Sequence, residues 1–380
     1  MTFDIPNPNR ILVRGVNWLG DAVMTTPALT RLRERFPDAR VSLLTKPHLA
    51  PLWRLHACVD EVIEIQRGES ISSLGGRLRE HDFDLAIALP NSFRTALELR
   101  FARIPHRVGY EGNARRFLLN HRLPHRPNVY RMSRLSAMEI SAAIRTGRPA
   151  QPEVQSSAHH IHHYLNLMAS LGANPEPLEP HWTIPASLID ETVSKFGLPE
   201  KNPQPIIGIN AGAEFGPAKR WPTANFREVV RILHHRRTCR FILFGGPGDL
   251  GIVNEITENL AVEIARETAS RPLHHHDLAG KTSLPELAAA LSHCHVLISN
   301  DTGPTHLAAA VGTPVVVPFG STSAPLTGPG LPGSTRHRFL TSSPPCAPCF
   351  RPDCPIDLRC LNEITPLRVA DAASEILEAI

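Results

Sequence analysis

The sequence predicts an α/β protein built from two doubly wound halves, and three observations predict it. Short runs rich in Val, Ile and Leu alternate with stretches of helical spacing. The alternation breaks at a proline-dense segment between Ala173 and Pro205 and then starts again. The length, 380 residues, fits two domains of roughly 100–200 residues each. Strands alternating with helices need crossover connections, and these give parallel sheets with helices on both faces.

Taken in order, Ile11–Val13 reads as the first strand. Asp21–Phe36 follows with helical spacing, because Val23, Leu29, Leu32 and Phe36 can line one side. Val41–Leu44, Val62–Ile65 and Leu85–Leu89 are further short apolar runs. NPEPLEPHWTIP and LPEKNPQP then interrupt the pattern, separated by one helical stretch at about 186–196. This break divides an N-terminal domain, 1–185, from a C-terminal domain, 186–380. In the second half Ile206–Ile209, Phe241–Phe244, Val296–Ser299 and Val315–Val317 read as strands. Asn225–His235, Leu284–Leu291 and Thr305–Val311 read as helices between them. The last segment, 366–380, reads as a helix long enough to pack back on the N-terminal domain. The histidine tracts, His159–His160, His162–His163 and His274–His276, read as polar helix and loop surface.

Composition excludes several classes. Hydrophobic residues at 42% and charged residues at 20% are those of a folded globular chain. No stretch approaches the ~18 apolar residues of a membrane span. The opening MTFDIPNPNR lacks the apolar core of a signal peptide, so the expected location is the cytoplasm. The net charge of +4 is unevenly spread: residues 1–150 hold 23 Lys and Arg against 14 Asp and Glu. Between Arg94 and Arg134 stand ten arginines and only two acids, Glu98 and Glu111. Such a surface suits an anionic partner. With aromatics at 6% it is thin for base stacking, so no nucleic acid is expected; a phosphorylated small molecule or an anionic lipid headgroup fits. The bland reading is a solubilising face.

Ligands of open α/β sheets sit beyond the carboxyl ends of the strands, which selects four loops. The first is RGVNWLGDAVMTTP, where Gly15 and Gly20 permit tight backbone and Asp21 opens a helix. Asp21 is either a helix cap or a general base. The second is NAGAEFGPAKRWP, whose small residues admit a ligand and whose Lys219 and Arg220 suit a diphosphate, or form a merely exposed basic pair. The third is SNDTGPTHLAAA. Pro304 suits a helix start, the free N–H groups there attract an anion, and His306 can donate to it; Asp301 and Thr302 could also be plain caps. The fourth, FGGPGD, carries Asp249, which could accept from ribose hydroxyls. Asp82-Phe83-Asp84 precedes its strand and so lies at the wrong end for a ligand. Cys346, Cys349, Cys354 and Cys360 can reach a tetrahedral metal or be structural thiols in a proline-rigid loop; either way they read as a staple.

Together these segments resemble the bacterial ADP-heptose:lipopolysaccharide heptosyltransferases, and among them the second-heptose group. RGVNWLGDAVMTTPAL, GAEFGPAKRWP, SNDTGPTHLAAAVGTPVVVPFGST and the CAPCF tail carry the resemblance from residue 14 to 360. It implies a GT-B fold, two Rossmann-like domains facing a cleft, with acceptor on the first and nucleotide sugar on the second. It implies inverting transfer of heptose from ADP-heptose to the lipopolysaccharide inner core at the cytoplasmic face of the inner membrane, with no metal and no cofactor. Asp21 then matches the general base and Lys219 the lysine on the donor diphosphate. Asp301 matches the acid near the heptose, and Thr302, Gly303 and His306 the phosphate-binding helix start. Asp249 and Thr282 fall near ribose and adenine contacts. The rival readings are a sibling core heptosyltransferase, a sugar-nucleotide epimerase of the same architecture and a nucleic-acid-binding protein.

Overall fold

The structure is a computed structural model that describes residues 2–126, 129–201, 204–267 and 273–379. Among them, two six-stranded sheets form, and every pairing is parallel. The first contains β1 (Arg10–Arg14), β2 (Arg40–Thr45), β3 (Glu61–Glu64), β4 (Leu85–Ala88), β5 (His106–Tyr110) and β6 (His121–Leu123). The second contains β7 (Ile206–Asn210), β8 (Arg240–Phe244), β9 (His274–Asp277), β10 (Val296–Ser299), β11 (Val315–Phe319) and β12 (Arg338–Thr341). The spatial orders are β3-β2-β1-β4-β5-β6 and β12-β11-β10-β7-β8-β9. Read from opposite edges these are one topology used twice, the doubly wound nucleotide-binding order. In each sheet the winding reverses beside its first strand, between β1 and β4 and between β7 and β10. Loops leaving the carboxyl ends there border the ligand crevice.

Sequence explains which strands are central. IIGIN of β7 and VVVPF of β11 are buried at every residue, as strands covered on both faces must be. The strands without an apolar run sit toward the edges: β5 (HRVGY), β6 (HRL), β9 (HHHD) and β12 (RFLT). This corrects the reading of His274–His276, which form edge strand β9 along β8 rather than loop or helix surface. The other tract is also corrected: His159 and His163 are 1% and 8% exposed. Helix Ile161–Ala169, which His159 precedes and His163 belongs to, packs on helix Leu19–Arg35, and the His163 ring stacks on Tyr110 at 3.9 Å.

Helix Leu19–Arg35 carries Pro27 in its interior, where a missing N–H orphans the carbonyl four residues back. Thr26 repairs this, its hydroxyl donating to Val23 O at 2.8 Å. At the amino end of β4, Asp84 accepts from the backbone N–H groups of Asn9 and Arg10 at 2.8 and 2.9 Å, so the D-x-D pair serves strand entry.

The chain divides into two compact units, Met1–Val129 with Ser157–Thr183, and Tyr130–Ser156 with Ile184–Ile380. Segment Tyr130–Ser156 joins the second unit because Leu135 and Ile140 pack on Cys346 and Cys349. Helix Pro366–Glu378 buries Val369, Ala370, Ala373 and Ile376 in the second unit's core, against β10, β11 and helix Thr223–Arg236. Its apolar face thus lies in that core, where the sequence suggests a return to the first half.

Candidate active site

At the carboxyl edge of the first sheet, Asp21 lines a cavity of about 240 Å³ with Val16, Asn17, Trp18, Asn91 and His160 among its walls. Helix Leu19–Arg35 begins after Trp18, whose extended backbone flanks it without a side-chain cap. Asp21 therefore stands in the first turn, where free N–H groups favour a negative charge. Its charge acts on two cavity neighbours. Burial lowers the pKa of His160, and Asp21 partly offsets that; burial and the same charge hold Tyr164 un-ionised well above its ordinary range. His163 is neutral for a structural reason. Asn91 Oδ1 accepts from Arg115 at 3.1 Å, so its amide nitrogen donates to His163 Nε2 at 3.1 Å. Burial first, then the neighbouring imidazoles and the Arg126 and Arg115 guanidinium groups, pulls the His163 pKa down to about 3. The cavity is thus a neutral, aromatic-walled chamber holding one carboxylate. Beneath it, Arg14 at the end of β1 pairs with Glu98 at 2.8 Å, both nearly fully buried, fixing the strand end to helix Phe93–Phe101.

Asn17 is a residue the sequence reading missed. Its Oδ1 is buried in this wall with no hydrogen-bond partner among the described residues. A buried acceptor left unmade costs ~1–3 kcal/mol, a cost that a hydroxyl donor entering the cavity removes.

The second sheet assembles the other cluster. Lys219 ends the short turn Pro217–Lys219, and its Nζ meets Asp301 Oδ2 at 2.7 Å with Asp301 only 5% exposed. Thr322, in the loop after β11, donates to the same oxygen at 2.6 Å. His306 Nε2 lies 4.0 Å from Asp301 Oδ1. Burial alone would raise the Asp301 pKa, but Lys219, His306 and Thr322 outweigh it and hold the carboxyl below its usual range. Burial pulls His306 down to about 4, against the pull of Asp301, so near neutrality it is an uncharged donor. Thr302 flanks helix Gly303–Ala310 in extended backbone with no side-chain cap, which keeps first-turn N–H groups for an anion. The exposed Phe215 ring lies 5.2 Å from Lys219 Nζ.

Two asparagines hold these loops in register. Asn300 accepts from Trp221 N at 3.0 Å and donates to Ala211 O at 2.7 Å. Asn210 donates to Ser299 Oγ and Thr302 Oγ1 at 3.0 and 3.2 Å. Asp249 stands in the turn after β8, accepting from Gly246 N at 2.9 Å. Its carboxylate fills the space where a side chain on Gly212 would begin. Thr282 is half-buried in the loop after β9, and that loop is tied to the Asp249 loop by Gly280 N on Gly245 O at 2.9 Å. The structure therefore gathers Lys219, Asp301, Thr302, Gly303 and His306 at one place and sets Asp249 and Thr282 on the β8–β9 side of the same edge. Asp21 belongs to the first unit.

Cys346, Cys349 and Cys360 are buried and reduced, and Cys354 is half-buried. Burial raises the thiol pKa values of Cys346, Cys349 and Cys360, and the cysteines beside each of them add to it. Among the described residues no three His, Cys, Asp or Glu side chains are arranged to hold a metal ion.

Comparison with known proteins agrees with this geometry. Residues 71–359 match glycosyltransferase family 9 (heptosyltransferase). Lipopolysaccharide heptosyltransferase 2 of Escherichia coli is 30% identical over 84% of this chain and 85% of its own length. Lipooligosaccharide heptosyltransferase 2 of Haemophilus influenzae is 29% identical over 87% and 88%. The structure of E. coli ADP-heptose lps heptosyltransferase II superposes with a TM-score of 0.75, at 29% identity, over 97% of this chain and 99% of that one. With two parallel six-stranded sheets of the GT-B kind, the chain belongs to glycosyltransferase family 9, the heptosyltransferases.

Proposed function

We propose that this glycosyltransferase moves L-glycero-D-manno-heptose from ADP-heptose to the lipopolysaccharide inner core, adding the second heptose to the first. The observation that supports it most is the pair of unlike clusters. One is a single carboxylate in a neutral aromatic cavity; the other is a lysine, a neutral histidine and an uncapped helix start converging on one buried acid. The first suits deprotonation of a sugar hydroxyl and the second an anionic leaving group. Relatives named heptosyltransferase 2 supply the sugar and the acceptor class.

In this reading the acceptor hydroxyl donates to Asp21, with Asn17 Oδ1 accepting from a neighbouring hydroxyl. As the oxygen attacks the anomeric carbon, its proton passes to Asp21. The bond from that carbon to the diphosphate breaks on the opposite face, and the configuration inverts. Lys219, His306 and the Thr302–Gly303 N–H groups stabilise the charge growing on ADP. Asp301 holds Lys219 in place and faces the heptose; Asp249 and Thr282 take the nucleoside. No described helix is long and apolar enough to cross a membrane, and the enzyme works at the cytoplasmic face of the inner membrane, where its acceptor is anchored.

The test is to incubate the protein with ADP-heptose and either heptose-free or monoheptosylated core lipid and to weigh the products. A gain of one heptose on the monoheptosylated lipid alone supports the reading. A gain on the heptose-free lipid makes it a first heptosyltransferase. Interconversion of the free nucleotide sugar without transfer makes it an epimerase.

A further inference from the structure

The cysteine loop takes no part in the chemistry above, yet it touches both loops that carry the Asp301 cluster. Pro352 O accepts from Ala218 N at 2.8 Å, one residue before Lys219. The two backbones meet so closely that a side chain on Gly216 would begin 2.5 Å from the same carbonyl oxygen. Phe350 N donates to Ser321 O at 2.7 Å, one residue before Thr322. Lys219 and Thr322 are the groups that bond Asp301 Oδ2, at 2.7 and 2.6 Å. A single short segment, Phe350 to Pro352, thus braces both sides of that carboxylate.

That segment lies between two thiols. Cys349 is buried, packed on Leu135 and Ile140, and its carbonyl accepts from Leu135 N at 3.0 Å. Arg351 returns the contact by donating to Leu135 O at 2.9 Å, so the loop is anchored from behind. Cys354 is half-buried between exposed Asp353 and Pro355, and a reagent in water reaches it before the other three. It stands near enough to Cys349 to add to the burial that raises the Cys349 thiol pKa. A bond between these two sulfurs would enclose residues 350–353, and with them both brace contacts.

We propose that Cys349 and Cys354 are an oxidisable pair, a modification site for a small disulfide, whose closure loosens the Lys219 and Thr322 loops. The Cys354 thiolate attacks one sulfur of the small disulfide, forms a mixed disulfide and releases one thiolate. The Cys349 thiolate then attacks Cys354 Sγ and releases the second. The protein thiols lose two electrons and two protons, and both leave on the two small thiols. The new bond holds the Cα atoms ~4.4–6.8 Å apart, which resets the path of residues 350–353 and draws Phe350 N and Pro352 O off their partners. The effect on donor use rests on the preceding reading; the loosening of the loops does not.

The test uses the full chain with Cys58→Ser, which removes the other half-buried thiol. The protein is treated with oxidised glutathione and followed by peptide mass, amide hydrogen exchange and donor kinetics. A Cys349–Cys354 bond should form, exchange should quicken across residues 216–220, and the donor KM should rise roughly threefold to tenfold, the worth of a hydrogen bond. The acceptor KM should stay where it was, and dithiothreitol should reverse every change. Adding Cys354→Ser should leave the donor KM of the reduced protein unaltered and abolish the response. A Cys349–Cys354 bond that leaves exchange and donor KM unmoved overturns the proposal, as does a protein that keeps both thiols or carries only a mixed disulfide. So does a Cys354→Ser variant that loses donor affinity on the same treatment. Faster exchange on oxidation, in a protein that transfers heptose in neither state, supports the pair and overturns the functional reading alone.

Discussion

Replacing Lys219 by Met keeps its length and removes its charge, leaving Asp301 as a carboxylate that is 5% exposed. Thr322 and His306 remain beside it, but its one full positive partner within salt-bridge distance among the described residues is gone. Breaking a buried pair in this way costs ~3–5 kcal/mol. Lys219 is itself 16% exposed, which argues for the lower end, about 3 kcal/mol. At ~2–4 °C per kcal/mol for a unit of this size, the melting temperature should fall about 6–12 °C at pH 7. The pH dependence gives the cause away. In wild type the Asp301 pKa is depressed, so its stabilisation is present above the unfolded value of ~3.9 and is lost as pH falls through the folded one. In Lys219→Met burial wins and the pKa rises, so the deficit should shrink as pH falls toward ~4. Thermal melts across that range for wild type, Lys219→Met, Asp301→Asn and the double variant test this. The double variant, with no orphaned charge, should recover much of the loss. A Lys219→Met protein that melts with wild type at pH 7, or with a deficit flat in pH, refutes the argument. The same variant should raise the donor KM roughly tenfold to a hundredfold, the worth of a charged hydrogen bond.

Asp21→Asn keeps the size of the side chain but cannot take a proton. It should melt like wild type, bind ADP-heptose, and lose at least ~100-fold in kcat; retained turnover sends the search for the base elsewhere. Thr322→Val removes the hydroxyl on Asp301 while Thr322→Ser keeps it, so Val should impair donor use several-fold and Ser should not. Equal behaviour of the two would mean that the 2.6 Å bond is idle. His56, His306 and His337 are pulled down to about 4 by burial, below the ~6.5 of an unfolded chain. The unfolded state then binds more protons between those values, so stability should fall as pH drops from about 6.5 to 4, by a few kcal/mol; denaturant midpoints unchanged between pH 7 and 5 would contradict it. Neutralising two or three of the exposed arginines between Arg94 and Arg134 should weaken acceptor binding, most at low salt, and spare ADP. Acceptor saturation indifferent to both would leave that surface solubilising only.

The strands legible in the sequence were those with an apolar run. IIGIN and VVVPF cannot be covered on both faces by anything but a central strand. HHHD and HRL carry no such mark; they become strands because a neighbour offers them a free edge, and no local pattern records that. The loops beyond β1, β7 and β10 were legible because glycines, prolines and charged residues cluster after apolar runs. Thr322 was not, because GST after β11 looks like any turn, and its meaning comes from a carboxylate 21 residues earlier. Asn17, Asn91, Asn210 and Asn300 were missed for the same reason: an amide's role lies in the partners the fold brings. The buried histidines before and within helix Ile161–Ala169 looked polar, and only the packing of Tyr110 on His163 shows otherwise.

The Asp249 carboxylate resting on Gly212 makes two loops one heritable unit. A methyl group at 212 would displace the acid, so Gly212→Ala should behave like loss of Asp249. Where Asp249 is already Ala, the carboxylate that the methyl would meet is gone, and the same change should cost far less. The effect of one substitution then depends on the other, and their order of appearance matters: a lineage that shortens position 249 first can enlarge 212 freely, whereas the reverse path passes through a damaged intermediate. On the β8–β9 side of this sheet, the pair should therefore change together or not at all.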